Sequence, residues 1–267
     1  MDQIRFYTQA LNQTQVNSLY NESSSNNSTL EFPSGISGAK PLSIVNANAN
    51  AGFSIVKYTG TGSATTVPHG LSATPEMIIV KKLGATQDWW VYHKDLNGGT
   101  NPAHYFIRLN LTNAETLNAS SGGSIWNSTA PTSTVFSTGT TLQESSDYIA
   151  YCFHSVSGFS KIGSYVGGGN TNPTINVGFA PDFLMVKKAT GTIGGSDGWT
   201  IVDSVRHPGT PTYDNGNVLY ANATLAEQDD NDQRGFTITS TGFSPNGNYS
   251  PTNSSGDTYV YMAFKIN

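Results

Sequence analysis

Four apolar residues stand in a row at Met77-Ile78-Ile79-Val80, with Pro75-Glu76 ahead of them and Lys81-Lys82 behind. A run so short, so apolar and bounded by proline and charge predicts a buried strand rather than a helix. The pattern returns at Pro181-Asp182-Phe183-Leu184-Met185-Val186-Lys187-Lys188, position 181 standing 106 residues beyond position 75. Other landmarks keep nearly that spacing. Each copy opens on Gly-Phe-Ser, at Gly52 and Gly158, and runs as a strand into a glycine-rich turn. Each has a tryptophan strand after the central one, Asp88-Trp89-Trp90-Val91-Tyr92 against Asp197-Gly198-Trp199-Thr200-Ile201-Val202. Asn110 and Glu115 find counterparts in Asn222 and Glu227, and Tyr148–Phe153 matches Tyr259–Phe264. The landmarks come in the same order, so the chain is a two-fold internal repeat.

The expected fold is all-β, with two tandem sandwich-like (jelly-roll-like) repeats over residues 52–157 and 158–267. They form either two units or one pseudo-symmetric unit. Ahead of them, residues 1–22 read as a short strand–helix arm. Gln3–Tyr7 alternates like a strand, Asn12 and Gln15 form a capping-box signature, and Val16, Leu19 and Tyr20 give a short helix one apolar face. A lone strand and helix cannot bury enough surface to stand alone. The arm therefore packs on the following domain or docks on another chain through Ile4, Phe6, Val16, Leu19 and Tyr20, and docking on another chain is the expectation taken. Residues 23–51, rich in Ser and Asn with Pro33 and Pro41, have linker composition.

Charge narrows the partners. A net charge of −5, with 13 Lys and Arg and no basic run beyond two residues, argues against nucleic acid. No stretch approaches the roughly 18 apolar residues of a membrane span. The single cysteine, Cys152, excludes an intrachain disulfide. The start, Met1-Asp2-Gln3-Ile4-Arg5, lacks the basic-then-apolar layout of a signal peptide, so synthesis and folding in a cytoplasm is expected.

Candidate chemistry is sparse. None of the five histidines sits at metal-ligand spacing, and no cofactor fingerprint is present, so no cofactor and no metal are expected and the chain reads as a non-enzyme. Cys152 and His154 share a strand face on spacing, but the second copy has Ala263 and Lys265 there, which favours a buried small residue and a strand end. Asp229, Asp230 and Asp232 sit in a loop resembling a calcium loop. Starting at Asp230, position five falls on Arg234 and position twelve on Thr241 where a bidentate Glu is needed, so a solvated acidic loop is the better reading. The Trp89/Trp90 pair is the feature most like a ligand site. Neighbours on a strand face opposite ways, and Trp89 aligns with Trp199, which suggests that these two are core. Trp90, with Tyr92 and His93, is then the candidate sugar-stacking surface, unless its own domain's loops cover it.

Two resemblances follow from these motifs. Asp2, Ile4, Arg5, Tyr7, Ala10, Leu11, Val16, Leu19 and Tyr20 resemble the closing strand and helix of a LamG/concanavalin-like jelly roll, over about 20 residues. The duplicated set is similar to a domain of tailed-phage structural proteins. It comprises Gly-Phe-Ser…Tyr-x-Gly, Gly-Leu…Pro-x-Met-Ile-Ile-Val-Lys-Lys, Trp89-x-Val91-Tyr92-His93, Trp126-Asn127…Ala130-Pro131-Thr132-Ser133…Phe136-Ser137-x-Gly139 and Tyr148–Phe153. The resemblance implies a structural protein of the virion surface, made in the host cytoplasm. It would be anchored to other virion proteins by the arm, as a tail-fibre component and host-surface adhesin or as a capsid decoration protein. Fibres of this kind imply a homotrimer. The alternative is a carbohydrate-recognition module for a host surface glycan, associated with a polysaccharide-degrading activity.

Overall fold

A computed structural model describes residues 28–30, 43–118, 123–194, 197–206, 212–213, 217–228 and 235–266. The segment ahead of the first copy forms β1 (Ser28–Leu30) and β2 (Ser43–Asn48). The first copy runs β3 (Phe53–Thr59), β4 (Thr65–Pro68), β5 (Met77–Lys82), β6 (Trp90–His93), β7 (Tyr105–Arg108), β8 (Thr116–Leu117), β9 (Val135–Thr138) and β10 (Asp147–Phe153). The second runs β11 (Ser160–Val166), β12 (Ile175–Asn176), β13 (Phe183–Lys188), β14 (Trp199–Asp203), β15 (Thr212–Tyr213), β16 (Leu219–Tyr220), β17 (Phe236–Thr239), β18 (Gly242–Pro245) and β19 (Thr258–Phe264). The protein is an all-β sandwich fold of antiparallel sheets.

The larger sheet of the first copy has the order β1-β2-β3-β10-β5-β6-β7-β8, and that of the second β11-β19-β13-β14-β16. The stretches β3-β10-β5-β6-β7 and β11-β19-β13-β14-β16 have one topology. Each larger sheet packs on a smaller one, β4-β9 in the first copy and β12-β18-β17-β15 in the second. Inside each sandwich a tyrosine pair stacks across the first and last strands. Tyr58 and Tyr148 have centroids 5.1 Å apart, and Tyr165 and Tyr259 5.0 Å apart. Their hydroxyls donate to carbonyls of the loop that enters the last strand, Leu142 and Thr141 in one copy, Thr252 and Ser250 in the other.

The two sandwiches stand back to back. On β5, Ile78 and Val80 enter the first sandwich, while Met77 and Ile79 join a third core with the second copy's Met185, Trp199, Val260 and Met262. On β13, Leu184 and Val186 face the second sandwich, and Phe183 and Met185 face the first copy. Both strands are dry on both sides, which is why they read as continuous apolar runs rather than alternating ones. The copies therefore share an interior.

Residues 23–51 are not linker throughout. β2 pairs along β3 from Ser43↔Tyr58 to Asn48↔Phe53 and puts Val45 into the first core. Its Ser-Ile-Val-Asn-Ala-Asn sequence alternates as a strand with one dry face, a period hidden by polar composition. The arm residues Ile4, Phe6, Val16, Leu19 and Tyr20, and the loop residues Asp229, Asp230 and Asp232, lie outside the described residues.

Candidate functional site

β6 holds the three residues expected to bind a ligand, and all of them are buried. Trp90 is 8% exposed. Phe106 packs on it edge to face with ring centroids 4.9 Å apart, and the Arg108 guanidinium lies 4.9 Å from its centroid. Asp88 holds that guanidinium in place at 2.8 Å. A cation already covers the indole face, so no sugar ring can stack there. Tyr92 packs into the first core against Trp126, ring centroids 5.9 Å apart, and burial pushes its phenol well above the ordinary value.

His93 is wholly buried between the copies. Its Nδ1 accepts the Asp95 N–H at 3.1 Å, while Nε2 faces the Tyr261 carbonyl of β19 at 3.5 Å. A carbonyl only accepts, so the proton sits on Nε2 and the ring is a neutral spacer. Burial pushes its pKa down to about 4, against the upward pull of Asp95 and the Tyr261 carbonyl and with Lys94 adding to the drop.

The expected alternation holds, with Trp90 and Tyr92 on one face and Val91 on the other. The error lay in assuming that one face meets water. The outward face of β6 meets the second copy. Trp199 is core as expected, 1% exposed, and its Nε1 donates to the Arg108 carbonyl across the interface at 2.8 Å. Trp89 is only half-buried at the rim of the same interface, with the Lys81 ammonium 5.8 Å from its ring.

Cys152 is buried, and desolvation pushes its thiol up to about 12, outweighing a smaller downward pull from Ser54. A thiol held protonated this far above neutrality is no nucleophile. His154 sits at the strand end with Nδ1 2.9 Å from the Ser155 carbonyl. Among the described residues no group of three His, Cys, Asp or Glu side chains is placed to hold a metal ion.

Polar chemistry collects instead at the far end of β13, where sequence reading saw only two closing lysines. Lys187 is fully buried and donates to three carbonyls, those of Thr112 in the first copy at 2.6 Å, Asp197 at 2.9 Å and Lys188 at 3.0 Å. Burial lowers its pKa to about 8, opposed by Asp197 and reinforced by Lys188. Lys188 meets Asp257 at 2.9 Å and Asp197 at 3.7 Å, and Asp197 also takes the Gly194 N–H and the Ser250 hydroxyl. The cluster ties Gly194, Asp197, the helical turn Ser250–Asn253 and the first copy to one strand end. Paired carbonyls and ions in a dry interior fix a register.

Two sequence landmarks acquire reasons. The acid after each proline receives the chain leaving the last strand, Ser155 N–H to Glu76 at 2.7 Å and Ile266 N–H to Asp182 at 2.8 Å. Asn110 and Asn222 accept the N–H of Trp89 and Trp199 at 2.9 and 2.8 Å, fixing the entrance to β6 and β14.

This geometry defines a class, a duplicated β sandwich whose copies share an interior. The chain belongs to the family described as Domain of unknown function (DUF7483), which matches residues 10–267. No curated protein and no solved structure matches it.

Proposed function

We propose that the chain is a structural module of the surface of a tailed-phage virion, a rigid β body held at its N-terminal end to another virion protein. The observation that supports this most is the back-to-back packing. It turns two sandwiches into one stiff block, with a third apolar core running from Met77 and Ile79 to Val260 and Met262. The resemblance of the duplicated motifs to tailed-phage structural proteins supplies the setting. A family span that takes in both copies makes the pair the unit that is kept. The strand-like residues 3–7, with Ile4 and Phe6, fall outside that span and are the part assigned to the anchor.

Electron microscopy of particles labelled with an antibody fragment against residues 52–267 tests this. Regular label over the head makes it a decoration protein, and label confined to the tail makes it a fibre component. Purified particles that carry no label end the proposal. The carbohydrate-recognition alternative was argued from an exposed Trp90, and it loses that support because Arg108 and Phe106 cover the indole.

A further inference from the structure

Five phenylalanines line one end of the seam between the two sandwiches. Phe53 stacks on Phe153 at 4.9 Å, Phe153 meets Phe264 at 6.3 Å, and Phe159 and Phe183 each meet Phe264 at 6.2 Å. The register puts Phe53 beside Phe153 and Phe183 beside Phe264, each pair at the end of its sheet. Four of the rings are only half-buried, Phe159 is 38% exposed, and Ile266 beside them is 64% exposed. A contiguous aromatic patch at the surface marks a contact.

The course of the chain says what covers it. β1 runs antiparallel to β2, with Ser28 opposite Val45 and Leu30 opposite Ser43. β2 ends at Asn48 opposite Phe53, so the chain traced backwards from Ser28 heads for the phenylalanine end of the sheet. From Tyr20 to Ser28 an extended chain reaches on the order of 27 Å. The Phe153 strand lies three strand spacings from β1, about 14 Å. The segment within that reach, Asn12–Tyr20, is the one whose spacing predicts a helix with Val16, Leu19 and Tyr20 on a single face. The family span begins at residue 10, so this segment is matched together with the sandwiches while residues 3–7 are not.

We infer that the helix of residues 12–20 docks in its own chain on the phenylalanine seam, with Val16, Leu19 and Tyr20 laid over Phe159, Phe264 and Phe53. On this reading only residues 1–9 remain for the docking on another chain that was expected of the whole arm. It stands apart from the virion reading, since it concerns a contact within one chain.

The test is a photo-crosslinker, benzoylphenylalanine, in place of Phe159 in the full-length protein, with equal parts of light and 15N-labelled chain mixed before illumination. Phe159 is partly exposed, so the change leaves the fold intact. Adducts joining position 159 to peptides of residues 12–20 within one isotopic chain are expected. Val16→Ser with Leu19→Ser should cut their yield about tenfold, the loss of two apolar contacts. Mixed-isotope adducts would mean that a second copy supplies the helix, and adducts only elsewhere, or none to 12–20, would mean that the seam is not its site. Either result overturns the inference, whatever the electron microscopy of particles shows.

Discussion

The two copies share a sheet order and treat their twin lysines in opposite ways. In the first, Lys81 and Lys82 end β5 near solvent, Lys81 bonded to the Gln87 carbonyl and Lys82 to Glu144, itself 52% exposed. In the second, Lys187 and Lys188 are at most 2% exposed, enclosed by carbonyls, Asp197 and Asp257. The same residues at the same place in the ladder become a half-buried pair at the rim of one copy and an interior cluster in the other. What differs is the covering, since the Ser250–Asn253 turn and Thr112 of the first copy close over the second pair only. A repeated motif carries over the strand and its register, and its neighbours set the value of its charges.

That contrast can be broken most forcefully at Asp197. Asp197→Ala leaves Lys188 buried with one carboxylate fewer and strips the anchor from Gly194 and Ser250, so a loss of about 3–5 kcal/mol in urea unfolding is expected. A loss under about 1 kcal/mol would mean that the cluster is wet and the contrast false. Next in size is the shared core. Met262→Ala removes a side chain that the second copy sets against the first and should cost about 2–4 kcal/mol. The substitution should also speed hydrogen exchange in β5 as well as in β19, because each is the other's cover.

The third contrast lies at equivalent strand ends, His93 of β6 opposite Met77 and Asp203 of β14 opposite Phe183. Asp203 has Arg206 at 2.6 Å, and its carboxyl is held low by hydrogen bonds and charge from Arg206 despite partial burial. His93 has no such escape. Its folded pKa, about 4, lies below the unfolded value of 6.5, so the unfolded chain binds the extra proton between them. Stability from this residue is full above pH 6.5 and falls as the pH drops towards 4, by at most roughly 3 kcal/mol. The midpoint of urea unfolding followed from pH 7 to 4 should show that fall, and His93→Gln should flatten it. The smallest effect is expected at the exposed partner of Lys82. Glu144→Ala should change stability by less than about 1 kcal/mol, and a larger loss would erase the difference between the copies.

Much of the fold is legible in the residues, because a strand needs only a period and a boundary. The apolar runs, the opening Gly-Phe-Ser and the paired asparagines fall where the ladders repeat. The candidate site is illegible for a related reason. Trp90-Val91-Tyr92-His93 alternates on a strand, and alternation tells which residues share a face but not what lies against it. The fully apolar β5 and β13 carried that information, since a strand without a polar face has cover on both sides. The single dry face of β2 is harder to read, because Ser43 and Ala47 share it with Val45.

The sequence alone determined that this is a β protein, that it is duplicated, and where its central strands lie, because those follow from local patterning and turn chemistry. Only the tertiary structure decided that the copies stand back to back, that Lys187 and His93 are interior and that Trp90 is under an arginine. Each of these is a contact between segments far apart in the chain, and burial belongs to the pair of surfaces that meet rather than to either one.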